Sequence, residues 1–209
     1  MQARRTRKKL ATRQRISDAA TRLFVERGFD NVTVDEIADA ADVGRMTVFN
    51  HFPRKEDMLF DLDDEGREDV RDALRTRPDD VAPIEALRLF AHRAFQEQRP
   101  YTRFLEGGGK FWDTIESSDT LKARARAIRD ELVQVVAEAL SEGAARNGWD
   151  PDARLAAGLL LATWTTALIQ AHMSFRESHD VKKANAAFLK IVDQGTLGLR
   201  AAMAGTPYA

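Results

Sequence analysis

Apolar residues recur at three- and four-residue steps along nearly the whole of this chain, and two-residue alternation is scarce. That pattern leaves helices as the elements able to bury an apolar face. Ile16, Ala19, Ala20, Leu23 and Phe24 form the first stripe, and Gly28 is placed to stop it. Thr33 with Glu36 three residues later is a capping-box signature, after which Val34, Ile37, Ala38 and Ala41 share a face. A break over residues 41–44 precedes a second short run. Pro53 must end that run, because a proline drives the residue before it out of helical geometry. Further helices are expected over 54–77, from Ile84 to Phe95, from Leu121 to Ala139, from Asp150 and Pro151 onward, and over 181–203. The expected fold class is all-α, with about nine helices.

The net charge of −1 conceals a strong asymmetry. Residues 1–15 carry Arg4, Arg5, Arg7, Lys8, Lys9, Arg13 and Arg15 with no acid, a local charge of +7. Residues 61–80 run the other way, with nine acids against four arginines. A basic arm on a near-neutral chain fits a polyanion partner touched at one end, although a charge run by itself is more often a solvated terminus. The absence of cysteine removes disulfides, thiolate zinc sites and thiol nucleophiles, and fits a reducing compartment. A charged N-terminal stretch, where a signal peptide needs an apolar one, argues against secretion.

The two short runs at 33–40 and 44–52 have the dimensions of a helix-turn-helix. Val34, Ile37, Ala38, Val43 and Val48 can pack inward, and the small Ala38 lets the helices approach. The second helix is then free to lie in a major groove with its first residues toward the base edges. Gly44 is an acceptable N-cap, and Met46 can meet a base or sugar apolarly. Arg45 can bond guanine in bidentate fashion, Asn50 can do so with adenine, and Thr47 offers a hydroxyl and a methyl. Thr33 and Lys55 stand at helix starts, where backbone N–H groups favour a phosphate.

Residues from about 13 to 60 resemble the DNA-binding domain of TetR-family transcriptional regulators, through LFVERGF, TVDEIA and VFNHFPRKEDML in particular. The resemblance implies a three-helix DNA-binding domain over 1–53 and a helical ligand-binding and dimerisation domain over 54–209. It also implies a cytoplasmic homodimer, usually a repressor, whose second domain binds a small molecule and thereby lowers DNA affinity. The family's phosphate-contacting tyrosine, histidine and lysine fall on Phe49, His51 and Lys55. Phe49 keeps the ring and loses the hydroxyl. Asp42 and Met46 stand where glycines are common, and Asp tolerates the left-handed turn conformation. Beside such a unit, the basic arm would follow the phosphate backbone or enter the minor groove.

The remainder carries no motif for catalysis. The segment 106–112, EGGGKFW, fails the nucleotide-loop pattern, since Phe104 stands where its first glycine belongs; a hinge or lid is expected there. His172 and His179 are too far apart to share a metal and His92 has no partner, so neither metal nor cofactor is expected. Phe60, Phe90, Phe95, Phe104, Phe111, Trp112, Trp164 and Phe175 are candidates to line a site for an apolar or aromatic ligand, although any one alone is better explained as core. His92, Gln170 and His172 are candidate polar handles for that ligand. Residues 155–175 hold no Asp, Glu, Lys or Arg. They are long enough to span a bilayer, but their threonines, Gln170 and His172 make them too polar. They are expected instead to pair with the last helix in a four-helix homodimer interface, presenting two recognition helices to a near-palindromic operator in double-stranded DNA. The resulting expectation is a ligand-released repressor and not an enzyme. Its alternatives are a regulator of the same fold without a ligand, or a helical ligand carrier or enzyme.

Overall fold

The computed structural model describes residues 2–61, 63–99, 102, 108–146 and 148–209, with backbone alone for 2–6, 63–64 and 108–109. Among these residues there is no strand. The helices are α1 (Gln2–Arg27), α2 (Val34–Ala40), α3 (Arg45–His51), α4 (Asp63–Arg75), α5 (Pro83–Gln96), α6 (Gly108–Ser117), α7 (Asp119–Gly143), α8 (Pro151–Ser178) and α9 (Val181–Ala202), with a 3₁₀ turn at Glu56–Met58.

The ends of these helices follow local chemistry. Asp150 caps α8 by accepting from the backbone N–H of Asp152 and Ala153, with Pro151 at the first helical position. Asp180 caps α9 in the same way. Between them His179 takes the left-handed conformation (φ 52°) that stops a helix.

Three expectations are corrected. The helix expected over 54–77 is a 3₁₀ turn followed by α4. Met58 and Leu59 are buried, and the Ser17 hydroxyl donates to the Met58 carbonyl at 3.0 Å, so this segment is drawn into the core. Glu65 then supplies negative charge of the kind that a new helix start favours. The hinge or lid expected at 106–112 is, from Gly108 on, the start of α6; residues 106–107 lie outside the described set. Phe111 and Trp112 hold that helix by packing on an apolar cluster. The basic arm, finally, is not a solvated, irregular terminus but the first half of α1.

The chain forms two compact units, residues 1–61 with 110–126, and residues 62–109 with 127–209. The expected boundary at 53/54 is therefore displaced, and the first unit recruits most of α6 and the start of α7. Its core contains Ile16, Ala20, Phe24, Val32, Ile37, Val48, Phe52, Met58 and Leu121, none more than 2% exposed. Each larger side chain so buried stabilises the unit by roughly 1.5–3 kcal/mol. Arg124 also pairs with Asp57 at 2.7 Å within this unit.

In the second unit α8 and α9 pack closely. A Cβ at Gly195 would lie 2.3 Å from Thr163 Cγ2, so only glycine permits the approach. Beyond α9 the chain is anchored by Tyr208, which is fully buried. Its hydroxyl donates to Asp150 Oδ2 at 2.6 Å, and its carbonyl accepts from the Ile84 N–H at 3.3 Å. Burial first, and then the Asp150 carboxylate, push the phenol up to about 12. The same hydrogen bond holds the Asp150 carboxyl below its ordinary value.

Tyr208→Phe removes a donor from a buried carboxylate. It should lower stability by roughly 1.5–3 kcal/mol, read as a lower urea midpoint with unchanged slope. Because the folded-state phenol is raised, its contribution is complete below pH 10.0 and is lost as pH rises toward about 12.

Candidate nucleic-acid interface

The start of α2 is held by a reciprocal cap. The Glu36 N–H donates to the Thr33 hydroxyl at 3.2 Å, and the Thr33 N–H donates to Glu36 Oε2 at 2.8 Å. Arg27 reaches the other Glu36 oxygen at 2.7 Å. The backbone bond from Thr33, followed by the Arg27 bond, lowers the Glu36 carboxyl to about 2. The charged cap is therefore complete above the ordinary value of 4.5 and is lost as pH falls through about 2.

The turn between the helices is closed by two backbone bonds, Ala41 N–H to the Ile37 carbonyl at 2.9 Å and Val43 N–H to the Ala38 carbonyl at 3.0 Å. Asp42 between them takes φ 51°, the left-handed conformation expected of it. Gly44 is the extended N-cap of α3, and its carbonyl accepts from the N–H groups of Thr47 and Val48. Ile37, Ala38 and Val48 are buried, and Val34 and Val43 pack partly buried against the same cluster, which fixes how α2 and α3 cross.

With Val48 inside, α3 turns its other residues out. Arg45, Met46 and Asn50 are exposed, Met46 by 69%, while Thr47, Phe49 and His51 are half-buried. Arg45 donates to Asp35 Oδ2 at 2.6 Å, and its guanidinium lies 5.5 Å from the centre of the Phe49 ring. Thus the ring without a hydroxyl still serves as a platform for the cation. At the far end, Arg13 donates to the His51 carbonyl at 2.7 Å and to Asp61 at 2.5 Å, with its guanidinium 4.3 Å over the Phe52 ring. Burial, then the charges of Lys9 and Arg13, hold the His51 imidazole below its usual value, so it is neutral at pH 7. Its Nδ1 is buried without a partner among the described residues.

Lys55 departs from its expected phosphate-facing role. Its ammonium donates to the Phe29 carbonyl at 2.5 Å and lies 4.2 Å from the Phe29 ring centre and 5.5 Å from that of Phe24. Gly28, at φ 84°, ends α1 and leaves the Phe29 carbonyl outside the helix, where the lysine caps it. Asp35 as the partner of Arg45, and the bond of Arg13 to the end of α3, are the contacts that sequence reading missed. Their two ends lie 10 and 38 residues apart, beyond any local spacing signal.

The candidate ligand residues are not gathered into one site. Phe60, Phe111 and Trp112 pack on the core of the first unit. Phe90 pairs with Trp164 (centroids 5.9 Å apart), Phe95 stacks on Phe188 (4.1 Å), and Phe175 is buried with them in the second unit. Gln170 is exposed, which removes it as a handle within a pocket. His92 bonds Asp193 at 2.8 Å beside Arg88. His172 is half-buried, and burial lowers its imidazole to about 4. Phe104 lies outside the described residues. A surface groove of about 260 Å³ is lined by other side chains, including Ser141, Arg146, Trp149 and Arg154.

Residues 16–62 match the profile of bacterial regulatory proteins, tetR family. The HTH-type transcriptional regulator TcmR of Streptomyces glaucescens is 34% identical over 83 residues, which cover 40% of this chain and 37% of that relative. The chain thus aligns with little more than a third of TcmR. The HTH-type transcriptional repressor DhaR of Mycobacterium sp. (strain GP1) is 25% identical over 171 residues, covering 76% of this chain and 81% of its own length. Among solved structures, the SmeT–triclosan complex matches with a TM-score of 0.57 at 20% identity, covering 90% of this chain and 91% of that one. At that identity the likeness concerns the fold.

Lys55→Met keeps the aliphatic stem over the rings and removes the bond to the Phe29 carbonyl. It should lower stability by roughly 1–3 kcal/mol, read in thermal denaturation without DNA. A lysine serving DNA alone would leave that transition unmoved.

Proposed function

The chain belongs to the TetR family of bacterial regulatory proteins, and from that premise we propose that it is a DNA-binding transcriptional repressor released from a near-palindromic operator by a small apolar or aromatic molecule. One observation carries the DNA-binding part: Arg45, Met46 and Asn50 stand exposed on a helix whose opposite face is locked by buried Val48. In this reading Arg45 and Asn50 bond base edges, with Met46 and Thr47 in apolar contact beside them. The Thr33 N–H is already held by Glu36 Oε2 at 2.8 Å, whereas the Gly44 N–H faces a phosphate. So do Phe49, through its ring edge, and His51, through an Nε2–H, since the tautomer with its proton there buries only a lone pair at Nδ1.

The homodimer reading rests on α8. Leu155, Leu159, Ala162, Thr166, Ile169 and Met173 recur at alternating four- and three-residue steps. Leu155 (52%), Leu159 (38%), Ile169 (46%) and Met173 (50%) are exposed large apolar residues. This is the spacing of a helix–helix seam. By length and composition α8 could cross a membrane. However, its other face, with Ala156, Ala157, Leu160, Ala167 and Ala171, is buried in the protein, so only a stripe is left to cover. A second copy covers it and sets two recognition helices to read two half-sites.

The effector reading is supported by the triclosan complex of a protein of this fold and by two groups of the second unit. Trp164 Nε1 is buried beside Phe90 without a partner among the described residues, and burial keeps His172 neutral. An uncharged ligand with one acceptor would suit the indole. To release DNA, it must bind the non-operator conformation more tightly.

Two measurements test this reading. Arg45→Ala should reduce the preference for the gene's own upstream DNA over mixed-sequence duplex by roughly 1–3 kcal/mol, read by fluorescence anisotropy; an unchanged ratio removes Arg45 as a base reader. Ile169→Glu should weaken self-association at least tenfold, about 1.4 kcal/mol, in sedimentation equilibrium with helicity retained.

A further inference from the structure

The first half of α1 extends well beyond the core it belongs to. Ile16 is the first buried residue among the described side chains, and residues 2–15 run ahead of it as helix, roughly 20 Å at the usual rise per residue. This stretch contains seven cations and no acid within residues 1–15. Arg7, Lys8, Lys9 and Arg15 are exposed, and none is ion-paired among the described residues. Like charges repeat four residues apart at Arg4–Lys8 and Arg5–Lys9, a spacing that opposes the helix unless an anion lies against it, as Asp61 already does at Arg13.

The extension is also tied to the recognition helix. Arg13 holds the His51 carbonyl at the C-terminal end of α3, and Lys9, one turn earlier, is close enough for its charge to act on the His51 ring. The cationic surface of α1 is therefore continuous with the end of α3. Its helical form decides between the two courses open to a basic arm. A helix with side chains is about 10–12 Å across, whereas the minor groove is about 6 Å wide, so this one cannot enter it.

We propose that the N-terminal half of α1 is a second duplex-contacting element, a cationic helix that lies along the phosphate backbone beside the groove read by α3. It supplies affinity without sequence preference, and it rests on the reading of the chain as a DNA-binding protein. Each phosphate it neutralises releases condensed counterion, so its signature is in the salt dependence of binding.

The test compares the full-length protein with the triple variant Arg7→Gln, Lys8→Gln, Lys9→Gln. Both are titrated onto the gene's upstream duplex and onto a mixed-sequence duplex between about 50 and 200 mM KCl. All three side chains are exposed, and circular dichroism checks that both proteins are equally helical. The expected result is a slope of log K against log salt shallower by roughly 2–3 on both duplexes, with their affinity ratio unchanged. An unchanged slope while the parent binds both duplexes overturns the proposal and leaves the DNA-binding reading intact. A loss confined to the upstream duplex overturns it in favour of base reading. If the triple variant instead loses binding only to vesicles of anionic phospholipid, the partner is a membrane surface. If the parent binds neither duplex at 50 mM salt, this proposal and the function it rests on fall together.

Discussion

Seven residues are too few for a helix to persist alone in water, because so short a segment cannot offset the cost of its own nucleation. The definition of α3 is therefore borrowed from its surroundings. Val48 and Phe52 are buried in the first core. The Val43 N–H on the Ala38 carbonyl fixes the entry, and Arg13 on the His51 carbonyl fixes the exit. α3 is held only because a core contributed by α1, α2, the 3₁₀ turn and residues 111–121 packs against its back, which leaves its front free of any part in folding.

What could be read in advance was what is encoded locally. The Thr33–Glu36 cap, the stop at Gly28, the left-handed Asp42 and the Asp150-Pro151 start each depend on residues within four positions, and all are present. What escaped depends on distant partners. Lys55 looked like a phosphate ligand until the Phe29 carbonyl, 26 residues away, was found beneath it. The start of α4 was invisible because the burial of Met58 and Leu59 against α1 breaks a run whose acidic composition suits a helix throughout. The aromatic residues of the C-terminal region were read as one set from their type. They divide among separate cores because periodicity shows that a ring is buried and not with which neighbours.

The same limitation bears on domain boundaries. α7 is one continuous helix, yet its first turns belong to the compact unit that carries the helix-turn-helix and its remainder to the other. A cut in sequence at Pro53 misses this, because residues 110–126 return to the first unit after a long excursion. The Arg124–Asp57 pair and the burial of Leu121 mark the place where that return is fastened.

If Arg45 reads a base edge as proposed, its pairing with Asp35 sets a threshold for recognition. The guanidinium already has a carboxylate at 2.6 Å, so a base edge can claim it only by offering better bonds than that neighbour does. A sequence that fails to do so meets more than a missing contact, since Asp35 then keeps the arginine and adds no attraction of its own toward phosphate. On that proposal the acid would act as an internal standard for each candidate site, raising the contrast between right and wrong DNA at some expense in absolute tightness.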